Sequence, residues 1–91
     1  MKAQQEIVIK NKTGLHARPA ALFVQVANKF DSDISITKDD QVVNGKSIMG
    51  ILMLAAEKGA KVTIMAEGSD AEKAVAELSD ILVNDIEIDT F

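Results

Sequence analysis

The sequence contains no cysteine. Disulfide staples, thiolate metal sites and cysteine nucleophiles are therefore excluded. Tryptophan and tyrosine are absent too, and the aromatic residues are Phe23, Phe30 and Phe91. So few rings make a base-stacking platform for nucleic acid unexpected. Positive charge is in the minority, with 10 Lys and Arg against 14 Asp and Glu and a formal net charge of -4. Nucleic acid and anionic membranes attract the opposite balance. No apolar run approaches the roughly 20 residues of a bilayer span, and residues 1–6 hold no apolar stretch of the signal-peptide kind. The expectation is a soluble, cytoplasmic protein with no nucleic-acid partner and no membrane insertion. Neither a Walker-type loop nor a histidine–acid cluster with ligand spacing is present, so no metal and no cofactor are expected. Adjacent carboxylates such as Asp39-Asp40 read as turn chemistry.

What remains is a chain of 91 residues, 47% hydrophobic and 26% charged, which fits one domain spanning 1–91 with one core. Ile7-Val8-Ile9 is β-branched and reads as a strand, broken by Asn11-Lys12-Thr13-Gly14. Ala20, Phe23, Val24, Ala27 and Phe30 then recur at helical spacing. Pro19 fits such a helix in its first turn alone, which puts the start at His16 or Ala17 and the end at Asp31-Ser32-Asp33. Ile34-Ser35-Ile36-Thr37 alternates as a strand, Asp39-Asp40 turns, and Gln41-Val42-Val43 returns as its hairpin partner before Asn44-Gly45. Ser47 is positioned to cap a short apolar helix through Leu54, with Gly59 as its stop. Residues 61–66 alternate as a fourth strand. Ser69-Asp70-Ala71-Glu72 fits a capping box ahead of the stripe Ala71, Ala74, Val75, Leu78, Ile81 and Leu82. The order β-α-β-β-α-β-α implies an α+β two-layer sandwich, an antiparallel sheet covered on one face by helices. The last residues, 85–91, read as a short strand or an extended, solvated tail.

The sole histidine, the sole arginine and the sole proline, His16, Arg18 and Pro19, fall within four residues. His16 stands where a helix begins. Unpaired backbone N–H groups and the positive end of the helix dipole stabilise an anion at such a place. A phosphoryl group on His16 would meet those amides, and Arg18 could add charge-assisted hydrogen bonds to its oxygens. Gly14 permits a tight turn before the helix and keeps the ring accessible. The same positive potential disfavours imidazolium, so the His16 pKa is expected to be lowered, leaving the neutral ring that a nucleophile requires. Simple reversible anion binding is the second reading.

Gly14-Leu15-His16-Ala17-Arg18-Pro19-Ala20 resembles the active-centre signature of the HPr family, the phosphocarriers of the phosphoenolpyruvate-dependent sugar phosphotransferase system. Asn44-Gly45-Lys46-Ser47-Ile48-Met49-Gly50 resembles that family's regulatory-serine segment. The likeness covers about residues 1 to 84. It implies an open-faced β-sandwich of four antiparallel strands and three helices. It implies that His16 receives a phosphoryl group from enzyme I and passes it to an enzyme IIA component for sugar uptake, with Arg18 assisting. The chain would then be a phosphoryl-transfer intermediary rather than a stand-alone catalyst, and a monomer.

Ser47 keeps two readings. It is an ordinary N-cap, or the target of an HPr kinase/phosphorylase as the resemblance implies. A phosphate at a helix N-terminus need not unfold the domain. Ile48, Met49, Ile51, Leu52, Met53 and Leu54 cannot all face inward on one short helix. Ile48, Met49 and Leu52 are the expected exposed docking patch, where methionine suits a surface that meets several partners in turn. The competing function is a regulatory docking module for carbon or nitrogen control, acting by binding rather than transport. A nucleic-acid binder would rest on Lys10, Lys12 and Arg18 alone, which phosphate handling explains equally well.

Overall fold

The computed structural model describes residues 1–10, 14–15 and 17–84. His16, residues 11–13 and the expected strand or tail at 85–91 lie outside the described residues. The elements are β1 (Lys2–Val8), α1 (Ala17–Ala27), β2 (Asp33–Lys38), β3 (Gln41–Asn44), α2 (Ile48–Met53), β4 (Lys61–Glu67) and α3 (Ala71–Asn84). The strands form one antiparallel sheet in the order β1-β4-β2-β3, so β4 lies between β1 and β2. This is the open-faced α+β sandwich expected from the order of elements.

Alternation along the strands decides which face is covered. Val62, Ile64 and Ala66 of β4, Ile34 and Ile36 of β2, and Ile7 of β1 are buried under the helices. Between them, Thr63, Met65 and Ser35 lie on the uncovered face. Pro19, Ala20, Phe23 and Ala27 of α1 are buried, and so are Ala71, Ala74, Val75, Leu78 and Leu82 of α3. Helix α3 packs on β1, β4 and α1, and α1 packs on α2. Phe23 is fully buried at the centre; truncating such a ring to alanine costs roughly 3–5 kcal/mol.

Several boundaries differ from the expectation, each for a physical reason. Strand β1 begins at Lys2, because Gln4, Gln5 and Glu6 pair with Met65, Ile64 and Thr63. Polar residues suit this outer strand, whose other edge has no sheet neighbour among the described residues. Ile9 follows the strand: its N–H donates to Ala60 O at 2.9 Å and its carbonyl accepts from Gly59 N at 2.7 Å. Helix α1 stops at Ala27, and its end tightens through bonds from Lys29 N to Val26 O (3.0 Å) and Phe30 N to Ala27 O (3.2 Å). Phe30 still reaches the core.

Gly59 does not end α2. The helix closes at Leu54, and Ala55, four residues before Gly59, takes the left-handed conformation with φ 49. Nor does Ser69 cap α3. The first helical bond runs from Ala74 N to Asp70 O at 2.9 Å, which makes Asp70 the residue before the helix. Its carboxylate is turned instead to Asp31 and Ser32.

Candidate functional site

The amino end of α1 is built by what precedes it. Gly14 adopts φ +71, and a Cβ there would lie 2.5 Å from Ala56 O and 2.9 Å from Glu57 Cα. Glycine alone fits that contact. Next to it, buried Leu15 donates its N–H to Ala56 O at 2.8 Å. The chain entering α1 is thus fastened to the segment leading from α2 to β4. Helix α1 starts at Ala17, so Pro19 stands third, inside the first turn, where it removes no helical bond. Ala17 and Arg18 are exposed, while Pro19 is buried and anchors the turn. The positive end of the α1 dipole therefore falls at Ala17, the residue that follows His16 in sequence. Lys10 of the basic trio is exposed like Arg18, whereas Lys12 lies outside the described residues.

Helix α2 forms the adjoining surface. Ser47 has φ -119 and ψ 118, and its Oγ accepts from Gly50 N at 3.0 Å, so the expected N-cap is present. The turn ahead of it is held at several points. Lys46 N donates to Asn44 Oδ1 at 2.8 Å, Lys46 Nζ donates to Phe30 O at 2.8 Å, and Gly45 N donates to Ile34 O at 2.8 Å. At the other end, Lys38 Nζ donates to Leu54 O (3.3 Å) and Gln41 Nε2 to Met53 O (3.4 Å). A cation at a helix carboxyl end opposes the negative pole there. The β2–β3 hairpin thereby fixes both ends of a helix only 6 residues long.

Of the proposed patch, Ile48 is 42% and Met49 69% exposed. Leu52 departs from the expectation: it is half-buried and packs against the core beside Ile51. Met53, 65% exposed, takes its place. The sequence carried that signal, since Met53 lies one helical turn beyond Met49 on the same face. Ala56 carried none, because it serves through its backbone carbonyl. The bond from Leu15 to Ala56 and the packing of α1 on α2 set the amino end of α1 against the chain that leaves α2. Among the described residues no group of three His, Asp or Glu side chains could hold a metal ion, and no helix is long and apolar enough to cross a membrane.

Comparison with known proteins agrees with this geometry. Residues 3–84 match the family described as PTS HPr component phosphorylation site. The chain is 51% identical over 76 residues to the HPr-like protein Crh of Bacillus subtilis (strain 168), covering 84% of this chain and 89% of that protein. It is 47% identical over 79 residues to the phosphocarrier protein HPr of Neisseria meningitidis (serogroup A / serotype 4A, strain DSM 15465 / Z2491), covering 87% and 89% respectively. Among solved structures, HPr from Thermoanaerobacter tengcongensis superposes with a TM-score of 0.88 at 52% identity, over 93% of this chain and 96% of that one. The family match over residues 3–84, together with relatives about half identical along most of the chain, places this protein in the HPr family of phosphocarrier proteins of the phosphotransferase system.

Proposed function

We propose that His16 accepts a phosphoryl group from phospho-enzyme I and passes it to an enzyme IIA component in sugar uptake. A neutral ring nitrogen attacks phosphorus, a P–N bond forms, and the bond to the donor breaks. The second ring nitrogen keeps its proton and balances part of the phosphate charge. Arg18 stabilises the phosphoryl oxygens by charge-assisted hydrogen bonds. Gly14, Ala17 and Pro19 support the geometry as the turn and first residues of α1. The observation that supports this reading is the start of α1 at Ala17, which puts the positive end of the helix dipole at the residue that follows the lone histidine in the sequence.

Incubation with enzyme I and phosphoenolpyruvate, followed by intact-mass measurement, tests it. One acid-labile phosphate is expected on the wild type and none on His16→Ala. An unphosphorylated wild type would leave the second reading, a regulatory docking module. Crh, a catabolite-repression HPr in Bacillus subtilis, favours that alternative as a relative of 51% identity. In either role, Ser47 is proposed as the site of an HPr kinase/phosphorylase. Its hydroxyl already occupies a helix amino end that tolerates a dianion. Ile48, Met49 and Met53 are proposed to meet enzyme I and enzyme IIA in turn. A cytoplasmic monomer is the proposed working form. The solved relatives include an HPr dimer from Thermoanaerobacter tengcongensis and a Crh dimer with a swapped domain, so sedimentation at assay concentration decides that point.

A further inference from the structure

The four methionines of this chain occupy unlike environments. Met49 and Met53 are 69% and 65% exposed, one turn apart on α2, beside Ile48. Met65 is 39% exposed on the uncovered face of the sheet, pointing away from the helix layer. Met1 is exposed at the start of β1, where its carbonyl accepts from Gly68 N at 2.9 Å. Neither Met49 nor Met53 belongs to the buried core. Their thioethers add little to folding, and water and small oxidants reach both.

We infer that Met49 and Met53 form a peroxide-sensitive pair whose oxidation to sulfoxide weakens docking of the carrier while leaving its fold intact. The inference rests on the docking role proposed above for this surface. In the chemical step a thioether lone pair attacks the distal peroxide oxygen. The O–O bond breaks, an S=O bond forms and water leaves, so sulfur loses two electrons and peroxide gains them. A thiol-dependent sulfoxide reductase reverses the change. The product is a polar, chiral group in place of a flexible apolar one, which spoils an apolar contact. Two such groups on adjacent turns present that polarity across the middle of the patch. Because α2 is held by Lys38, Gln41 and Lys46 through backbone carbonyls of the chain, its position does not depend on the methionine side chains.

The test treats the full-length protein with hydrogen peroxide, removes the peroxide, maps sulfoxide by peptide mass, and measures transfer from phospho-enzyme I. The oxidised wild type is expected to carry one oxygen on each of Met49 and Met53, and on the equally exposed Met1, which the double variant retains. Its melting temperature should be unchanged, and its KM as acceptor should rise roughly tenfold, equivalent to about 1.4 kcal/mol. The Met65→Leu variant should show the same rise. In Met49→Leu/Met53→Leu, the ratio of KM with and without peroxide should fall below about twofold, and a sulfoxide reductase should restore the wild type. Met49→Glu separates a loss of docking from an effect of oxidation. If Met49→Glu transfers normally, the docking reading fails and takes the inference with it. If Met49→Glu is impaired but oxidised wild type keeps its KM, the docking reading stands and the inference is overturned. Loss of the folded state on oxidation would also overturn it.

Discussion

Ser32 donates both its hydroxyl and its backbone N–H (3.0 Å) to Oδ1 of Asp70, 38 residues away in sequence. Asp31 N donates to the other carboxylate oxygen at 2.9 Å. These bonds join the turn before β2 to the residue before α3. Three donors converging on one carboxylate favour its charged form. The Ser32 hydroxyl acts most strongly and the Asp31 amide next, and together they hold the Asp70 carboxyl below its ordinary range.

The consequence for acid stability has a definite sign. A carboxyl with a depressed folded pKa binds fewer protons folded than unfolded, so folding gains from it above the unfolded value of about 4. That gain is lost as pH falls through the lower folded value. Urea midpoints measured from pH 6 downward should therefore drop in the wild type below about pH 4, and Asp70→Asn should lose less over the same interval. Equal losses in the two proteins would remove Asp70 from the acid response.

This tie also shows what was legible in the sequence. Alternation, β-branched runs, helical spacing and turn or cap residues together marked the strands and helices in order, because a small domain has one core and each apolar stripe must face it. The pairing of Ser32 with Asp70 was invisible, since local spacing favoured Ser69 as the cap and only tertiary contact turned Asp70 toward another loop. The half-buried place of Leu52 likewise depends on tertiary contact. One face of a short helix can be counted from sequence, but which side meets the core depends on where β3 and α1 stand. The cluster around His16 was readable because rare residue types and a proline-limited helix start coincide. The clamp of Gly14 and Leu15 on Ala56 was not, being a backbone contact between distant loops.

Ala55 offers a stabilising change. It holds φ 49 just past the α2 cap, where its N–H donates to Leu52 O at 3.1 Å. An L-residue with a Cβ pays about 1–2 kcal/mol in this region, and glycine avoids that while losing somewhat more chain entropy. Ala55→Gly should therefore stabilise the protein by about 0.5–1 kcal/mol, raising the melting temperature by a few degrees. Calorimetry measures this directly, and a lower melting temperature would contradict the strain assigned to the site.

Capping and regulation at Ser47 can be separated with two variants. Ser47→Ala removes the oxygen that accepts from Gly50 N and should cost about 1 kcal/mol. Ser47→Asp restores an acceptor and adds negative charge at the positive end of α2, so its stability should lie within about 0.5 kcal/mol of wild type. If charge at this position regulates docking, Ser47→Asp should nonetheless accept phosphate from enzyme I more slowly, while Ser47→Ala keeps its rate in the folded fraction. Denaturant titration and single-turnover transfer, run on the same samples, give both numbers.

Leu52 and Met53 are neighbours in sequence with opposite surroundings, and that contrast yields the sharpest mutational test of the docking surface. Leu52 packs on the core, so Leu52→Ala should cost about 1–2 kcal/mol, less than truncation of a fully buried leucine. Met53 is exposed and outside the core, so Met53→Glu should change stability by no more than about 0.5 kcal/mol. Transfer should respond the other way round. A carboxylate in the middle of an apolar contact must be desolvated without a partner, so Met53→Glu should raise the acceptor KM severalfold. Leu52→Ala, measured where it is fully folded, should stay nearer to wild type, because its side chain supports α2 from below. Should Leu52→Ala impair transfer more than Met53→Glu in fully folded samples, the contact surface would have to be redrawn around the other side of α2.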